Sequence, residues 1–343
     1  MDSFKLTQYS KAAGCGCKIG PEALEEILST CGKSAPHLQL LLGNEGNEDA
    51  AAWLWNEEEV LLATTDFFMP MVDDAFEFGK IAAANAISDV FAKGGKPILA
   101  LGILGWPIEK LPASEAAKVL AGAKEICNQH HIPLAGGHSV ESPEPFFGLA
   151  VNGIVKREHL KSNDNLQTGD TLYLTKPLGL GISITGNKRG LLSEEELNEV
   201  IRWMTFTNAI GEQLGQLKEV HAMTDVTGFG LLGHLHEMNR IAKAHITLDY
   251  AKIPVLASAK RLAGQFVFPD ITTRNFNAVK HAVSSLNGEQ MLVLCDPQTS
   301  GGLLISASPT IEHELIALAK QYHVDIAAIG QVGENKSGQI EIL

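Results

Sequence analysis

The sequence predicts a two-domain α/β protein. Three observations carry that reading. The chain has 343 residues, room for two domains at about 150 residues each. Strand-length apolar runs alternate with helix-length runs from Val60 onward, the pattern of a mixed α/β fold. A polar stretch, Arg157 to Asp170, separates two such series. With 45% hydrophobic and 20% charged residues, the chain can bury a core without disulfide or metal staples, and disorder over most of it is excluded.

Residues 1–45 read as a mobile, Gly-rich N-terminal segment. Gly14, Gly16 and Gly20 surround Cys15, Cys17 and Lys18, which suits a loop. A helix is predicted over Pro21 to Ser29, with proline in its first turn. Residues 46–157 form the first domain. Val60 to Thr65 is a strand, and Phe78 to Ala92 an Ala-rich helix closed by Gly94-Gly95. Ile98 to Leu104 is an apolar strand, Ser114 to His130 a helix and Ile132 to Ala135 a short strand. Gly136-Gly137-His138-Ser139 reads as a turn, and Phe146 to Lys156 as a strand. Residues 158–343 form the second domain. Its predicted strands are Thr171 to Thr175, Val220 to Asp225, Met291 to Asp296 and Gly302 to Ser306. Ser193 to Leu217 is helical, and Thr227 to Ala244 is a Gly-rich loop that opens a helix.

Composition excludes several functions. Lys plus Arg number 27 against 40 Asp plus Glu, a formal charge of −13. A general nucleic-acid binder needs the opposite balance. The longest apolar run, about Ile98 to Ile108, is too short for a bilayer and is broken by Gly and Pro. Met1 to Gly14 has no apolar core of a signal peptide. Five scattered cysteines argue against a disulfide framework and for a reducing cytoplasm.

Four aspartates stand out because apolar or small residues flank them. Asp49 precedes three alanines, Asp66 and Asp225 end strands, and Asp89 lies in the apolar helix four residues after Asn85. That spacing puts Asn85 and Asp89 on one helical face. Each aspartate alone reads as a cap or turn residue. Together, with few basic neighbours in sequence, they point to ligands of a hard metal such as Mg²⁺. Cys15-Gly16-Cys17-Lys18 lacks the C-x-x-C spacing of structural zinc. An ammonium beside a thiol favours the thiolate, so the loop reads either as a reactive cysteine or as two idle thiols. Gly228-Phe229-Gly230-Leu231-Leu232-Gly233 matches the dinucleotide fingerprint, but a tight turn with close helix packing explains it as well. No P-loop is present, so any nucleotide phosphates would be held by metals on carboxylates, a lysine and glycine turns.

Six motifs, in order along the chain, resemble selenophosphate synthetases. They are Gly14-Cys15-Gly16-Cys17-Lys18, Thr64-Thr65-Asp66-Phe67-Phe68, Asn85-Ala86-Ile87-Ser88-Asp89, Ala135-Gly136-Gly137-His138-Ser139, Met223 to Gly230, and Asp296-Pro297-Gln298-Thr299-Ser300-Gly301-Gly302. The resemblance implies the two-domain fold of aminoimidazole ribonucleotide synthetase, with an N-terminal mixed α/β domain, a C-terminal α/β domain and a homodimer. It also implies a Mg²⁺-dependent reaction of ATP, selenide and water to selenophosphate, AMP and phosphate. By resemblance, Cys15 and Lys18 are catalytic. Lys18, Gly46, Asn47, Glu48, Asp66, Asp89, Gly137, His138 and Ser139 contact ATP, the last three across the dimer, and Asp49, Asp89 and Asp225 bind metal. The family pattern has Asp-Asp where this chain has Glu48-Asp49. The alternatives are a related ATP-dependent synthetase that activates an amide or carbonyl oxygen, a dinucleotide-binding protein, and a non-catalytic selenium or metal carrier.

Overall fold

Two six-stranded sheets organise the computed structural model, which describes residues 4–10, 14, 26–27, 30, 37–43 and 47–343. The first sheet contains β1 (Leu40–Leu42), β2 (Ala51–Leu54), β3 (Glu59–Phe68), β4 (Lys96–Trp106), β5 (Leu134–Glu141) and β6 (Phe146–Lys156), in the order β1-β2-β3-β6-β4-β5. The second contains β7 (Thr171–Leu174), β8 (Val220–Asp225), β9 (Ile246–Leu248), β10 (Leu303–Ala307), β11 (Ala327–Val332) and β12 (Ile340–Ile342), in the order β12-β9-β11-β7-β10-β8. Pairing is antiparallel throughout except β4 with β5 and β12 with β9. The linking stretch after β6 holds one 3₁₀ turn, Arg157–His159, and no strand or α-helix.

The first sheet buries one face and exposes the other. Along β3, Val60 and Leu62 point to the core and are fully buried, as period-two alternation requires. Against that inner face lies α1 (Ala75–Ala92), started by Asp74, whose side chain accepts the Glu77 N–H. Alanines and branched apolar residues cover α1 on all sides, and a helix apolar all round belongs in the interior. It packs on β3 and β6, along α2 (Ala113–Gln129), and against the second domain. There α3 (Leu180–Lys188), α4 (Glu194–Thr205), α5 (Ile210–Gln216) and α6 (Gly230–Ala242) follow in order, and α1 meets α4, α5 and β8. Glycines set these approaches. A Cβ on Gly79 would stand 1.9 Å from the Val119 carbonyl oxygen, and one on Gly211 2.3 Å from that of Phe91.

Three expectations are corrected, and one helix is added. Gly136 to Ser139 is not a turn; it lies within β5. Gly136 and Gly137 take φ of +134° and +148°, and a Cβ on Gly137 would fall 2.0 Å from the Gly102 carbonyl oxygen of β4. Met291 to Asp296 is not a strand. The helix Gly288–Leu294 runs into it, started by a reciprocal cap between Asn287 and Gln290; a short apolar run cannot by itself separate the two states. Ser193 to Leu217 is two helices, α4 and α5, broken at residues 206–209. The helix α3 was not expected, because its glycines at 181 and 186 mask the helical pattern. The expected helix Pro21 to Ser29 lies outside the described residues except Glu26 and Ile27.

Among the described residues, no helix is long and apolar enough to cross a membrane. Gly79→Ala is expected to destabilise the protein by about 1–3 kcal/mol, because the α1–α2 contact has no room for a methyl group. Urea unfolding followed by circular dichroism measures it.

Candidate active site

One face of α1 positions the site. Asn85, Ser88, Asp89 and, at its C-terminal cap, Lys93 project from it towards β3 and the second domain. Each carboxylate of the sequence set is held by a hydroxyl, an amide or an ammonium. Thr64 Oγ1 donates to Asp89 Oδ2 at 2.5 Å. Asn85 Nδ2 donates to Asp66 Oδ2 at 2.7 Å, and Ser88 Oγ to Asp225 Oδ2 at 2.6 Å. Thr224 Oγ1 donates to Asp49 Oδ1 at 2.8 Å. Partners therefore cross between domains: Thr224 serves Asp49 of the first domain, and Ser88 serves Asp225 of the second.

The four aspartates converge. Burial pushes the Asp89 carboxyl well above the usual carboxylate range, and the negative charges of Asp225, Asp66 and Asp49 raise it further. Acids that repel one another in this way cannot all ionise unless a cation compensates them. Among the described residues, no three acidic, histidine or cysteine side chains are gathered tightly enough to chelate an ion alone. Mg²⁺ does not require that, since it keeps several waters and is commonly bound by one or two carboxylates plus substrate phosphates.

Glu48 is held by an internal lysine. Lys93, whose side chain is fully buried, donates to Glu48 Oε2 at 2.5 Å and stands 3.0 Å from Asp49 Oδ2. The Asn163 N–H reaches the same Glu48 oxygen at 3.2 Å. Burial pulls the Lys93 ammonium down, but the Asp49 and Glu48 charges outweigh it and leave its pKa raised. The longer glutamate arm at the position where the family pattern has aspartate thus ends on an internal lysine. Among the described residues, Glu48 Oε1 is buried without a hydrogen-bond partner, and Asp49 Oδ2 contacts Lys93 outside hydrogen-bond geometry.

Several members of the site escaped sequence reasoning. Lys93 sits in the Gly94-Gly95 helix stop, where it reads as an exposed last-turn residue. Asn47 Nδ2 donates to Glu237 Oε1 at 3.2 Å. Burial, then the nearby Asp49 charge, push that glutamate up to about 8. Glu237 in α6 lies between His236 and Met238, outside the apolar and small settings that marked the aspartates, and nothing local flags Thr64, Thr224 or Asn163.

Gly137, His138 and Ser139 are exposed on β5. Register aligns Gly137 with Gly102, Gly102 with Leu149 and Leu149 with Asp66. Three strand spacings, about 14 Å, therefore separate Gly137 from Asp66 along the sheet, and these residues do not join the carboxylates within one chain. Cys15, Lys18 and Gly46 lie outside the described residues. Gly14, the neighbour of Cys15, donates its N–H to the Met69 carbonyl at 3.0 Å. Its φ is +50°, and a Cβ there would meet Thr299 Oγ1 at 2.4 Å. The Gly228 to Gly233 fingerprint follows β8, an edge strand paired antiparallel to β10, so no parallel βαβ unit closes around it. Gly230 instead allows close packing, a Cβ there standing 2.8 Å from the Cys295 carbonyl carbon.

Comparison with known proteins agrees with this architecture. Residues 47–155 match the AIR synthase related protein N-terminal domain, and residues 167–342 the corresponding C-terminal domain. A thiamine-monophosphate kinase from Stenotrophomonas maltophilia shares the fold, with a TM-score of 0.67 at 20% identity over 89% of this chain and 92% of that one. The two sheets and their shared carboxylate junction thus define an AIR synthase related two-domain protein. Within that class, the selenide, water dikinase of Pseudomonas aeruginosa is 47% identical over 342 residues, 100% of this chain and 99% of the relative. That of Pseudomonas putida is 45% identical, again over 100% of this chain and 99% of the relative. The chain belongs to the selenide, water dikinase family.

Lys93→Met is expected to cost about 3–5 kcal/mol, because it strands Glu48 and Asp49 as buried, uncompensated acids. Denaturant unfolding at neutral pH without divalent metal reads the loss directly.

Proposed function

We propose that the protein makes selenophosphate, AMP and phosphate from ATP, selenide and water, with Mg²⁺ as cofactor. The observation that carries this reading is the convergence of Asp49, Asp66, Asp89 and Asp225 at the junction of the two domains. A triphosphate carries about four negative charges, and an acidic pocket would repel it without cations. Asp49, Asp89 and Asp225 would hold Mg²⁺, and the all-oxygen donor set suits that hard ion. When bound, Mg²⁺ would supply charge compensation for the phosphate oxygens.

The chain's own residues bind and orient the substrates. Asp66, Asp89, Asn47 and Glu48 would face ATP, and Thr64, Asn85 and Ser88 fix the rotamers of the acids they touch. Lys18 would pair with the phosphates. Cys15, joined to a glycine that packs on Thr299, would place a thiolate near the γ-phosphoryl end, beside the incoming selenide.

Mixing protein, ATP, Mg²⁺ and selenide is expected to give a phosphorus–selenium resonance, AMP and phosphate in the ³¹P spectrum, and Cys15→Ser to abolish selenide-dependent AMP. ADP as the end product, with no phosphorus–selenium species, would refute the reading. Full activity of Cys15→Ser would favour a synthetase acting on an amide or carbonyl oxygen.

The same reading includes a cytoplasmic homodimer. The outer face of the first sheet exposes Trp53, Phe67, Ile98, Leu101, Val140 and Ile154, an apolar patch of the kind that marks association surfaces. A second copy seated there would bring its Gly137 to Ser139 towards a foreign site. Leu101→Glu is expected to convert a dimer to monomers in analytical ultracentrifugation; a monomeric wild-type protein would contradict this.

A further inference from the structure

The carboxylates of the first domain are braced from the second by a turn, residues 296–302, between helix Gly288–Leu294 and β10. Ser300 in that turn has a φ of +54°, a left-handed conformation that a residue with a side chain keeps only when its surroundings enforce it. Both sides of Ser300 are held. Its N–H donates to Asn85 Oδ1 at 2.8 Å, and its carbonyl accepts from Lys176 Nζ at 2.7 Å. The amide of Asn85 is oriented as a result. With Oδ1 occupied by Ser300, Nδ2 is the end that donates to Asp66.

Lys176 anchors this chain of contacts. It is 1% exposed, and its second hydrogen bond goes to the Phe206 carbonyl at 2.5 Å, at the break between α4 and α5. Among the described residues it makes no ion pair, and both bonds end on main-chain carbonyls. A buried amine with no carboxylate partner is expensive to keep, and an apolar side chain of similar length would fill the same space at lower cost. Gly302 shows how tightly the turn lies on it, because a Cβ there would stand 2.4 Å from the Lys176 nitrogen of the main chain. A parallel brace runs beside it. Asn208 donates to the Gly301 carbonyl and to Ser88 Oγ, each at 2.8 Å, and Ser88 holds Asp225.

We propose that Lys176 is a positioning residue of the nucleotide site, acting through Ser300 and Asn85 to aim Asp66 at ATP. The inference rests on the functional reading above for the role of Asp66, and it assigns to the second domain the control of a first-domain ligand. Lys176 touches no substrate. Its effect is carried by the left-handed turn.

The test is a double-mutant cycle on the full chain. Affinity for a non-hydrolysable ATP analogue with Mg²⁺ is measured by calorimetry in the wild type, Lys176→Met, Asp66→Asn and the double variant, with melting temperatures alongside. Lys176→Met is expected to weaken binding about tenfold in the wild-type background and to have no further effect in Asp66→Asn, the coupling expected of groups in one network. A purely structural role would lower affinity equally in both backgrounds, and that result, or an unchanged affinity, overturns the proposal. Should Lys176→Met fail to fold, Lys176→Gln, which keeps one amide donor, replaces it in the same cycle with the same outcomes. A wild-type protein without affinity for the analogue would instead refute the functional reading, and the proposal with it.

Discussion

Mutual repulsion among acids at the domain junction is the constraint on which the rest depends. Asp89 is buried, facing Asp225, Asp66 and Asp49, and burial and like charge both oppose its ionisation. Folding tolerates this arrangement because each acid also meets a donor: Thr64, Asn85, Ser88 or Thr224. Hydroxyl and amide donors orient a carboxylate but do not neutralise it. Under the proposed function, the charge they leave uncompensated would recruit cations, and with them a polyphosphate that the acidic surface would otherwise reject.

The helix that carries Asn85, Ser88, Asp89 and Lys93 is buried from Ile81 to its end, and this explains how the acids stay in place. Its apolar remainder is clamped between the first sheet, α2 and the second domain, with glycines at 79 and 211 letting backbones touch. Side chains on such a helix have little freedom to relax away from one another. Rigidity therefore serves the chemistry directly, since preorganised charges act without reorganising when the substrate arrives. The two domains share the work. Thr224 and the turn at Ser300 belong to one, while the acids they steady belong to the other.

Much of this was legible in the sequence where periodicity or local chemistry decides. Asn85 and Asp89 share a helical face because they are four residues apart. Asp49, Asp66 and Asp225 drew notice because a carboxylate among alanines or at a strand end needs a reason to be there. The apolar strands β3, β4 and β6 emerged from length and flanking residues. Other features depend on contacts between distant residues and leave no local trace. Lys93 looks like an ordinary helix-stop lysine until Glu48, 45 residues away, is folded onto it. Gly136-Gly137 has the composition of a turn, yet the glycines serve a strand that lies flush on its neighbour. Met291 to Asp296 is apolar enough for either state, and a cap at Asn287 decides it.

The most direct measurement is anomalous scattering from Mn²⁺ in crystals grown with a non-hydrolysable ATP analogue. The account predicts peaks about 2 Å from oxygens of Asp49, Asp89 and Asp225, the distance typical of small hard cations, with the triphosphate bridging them and Asp66 against the nucleotide. Peaks remote from these aspartates, or a nucleotide lying along Gly228 to Gly233, would contradict it.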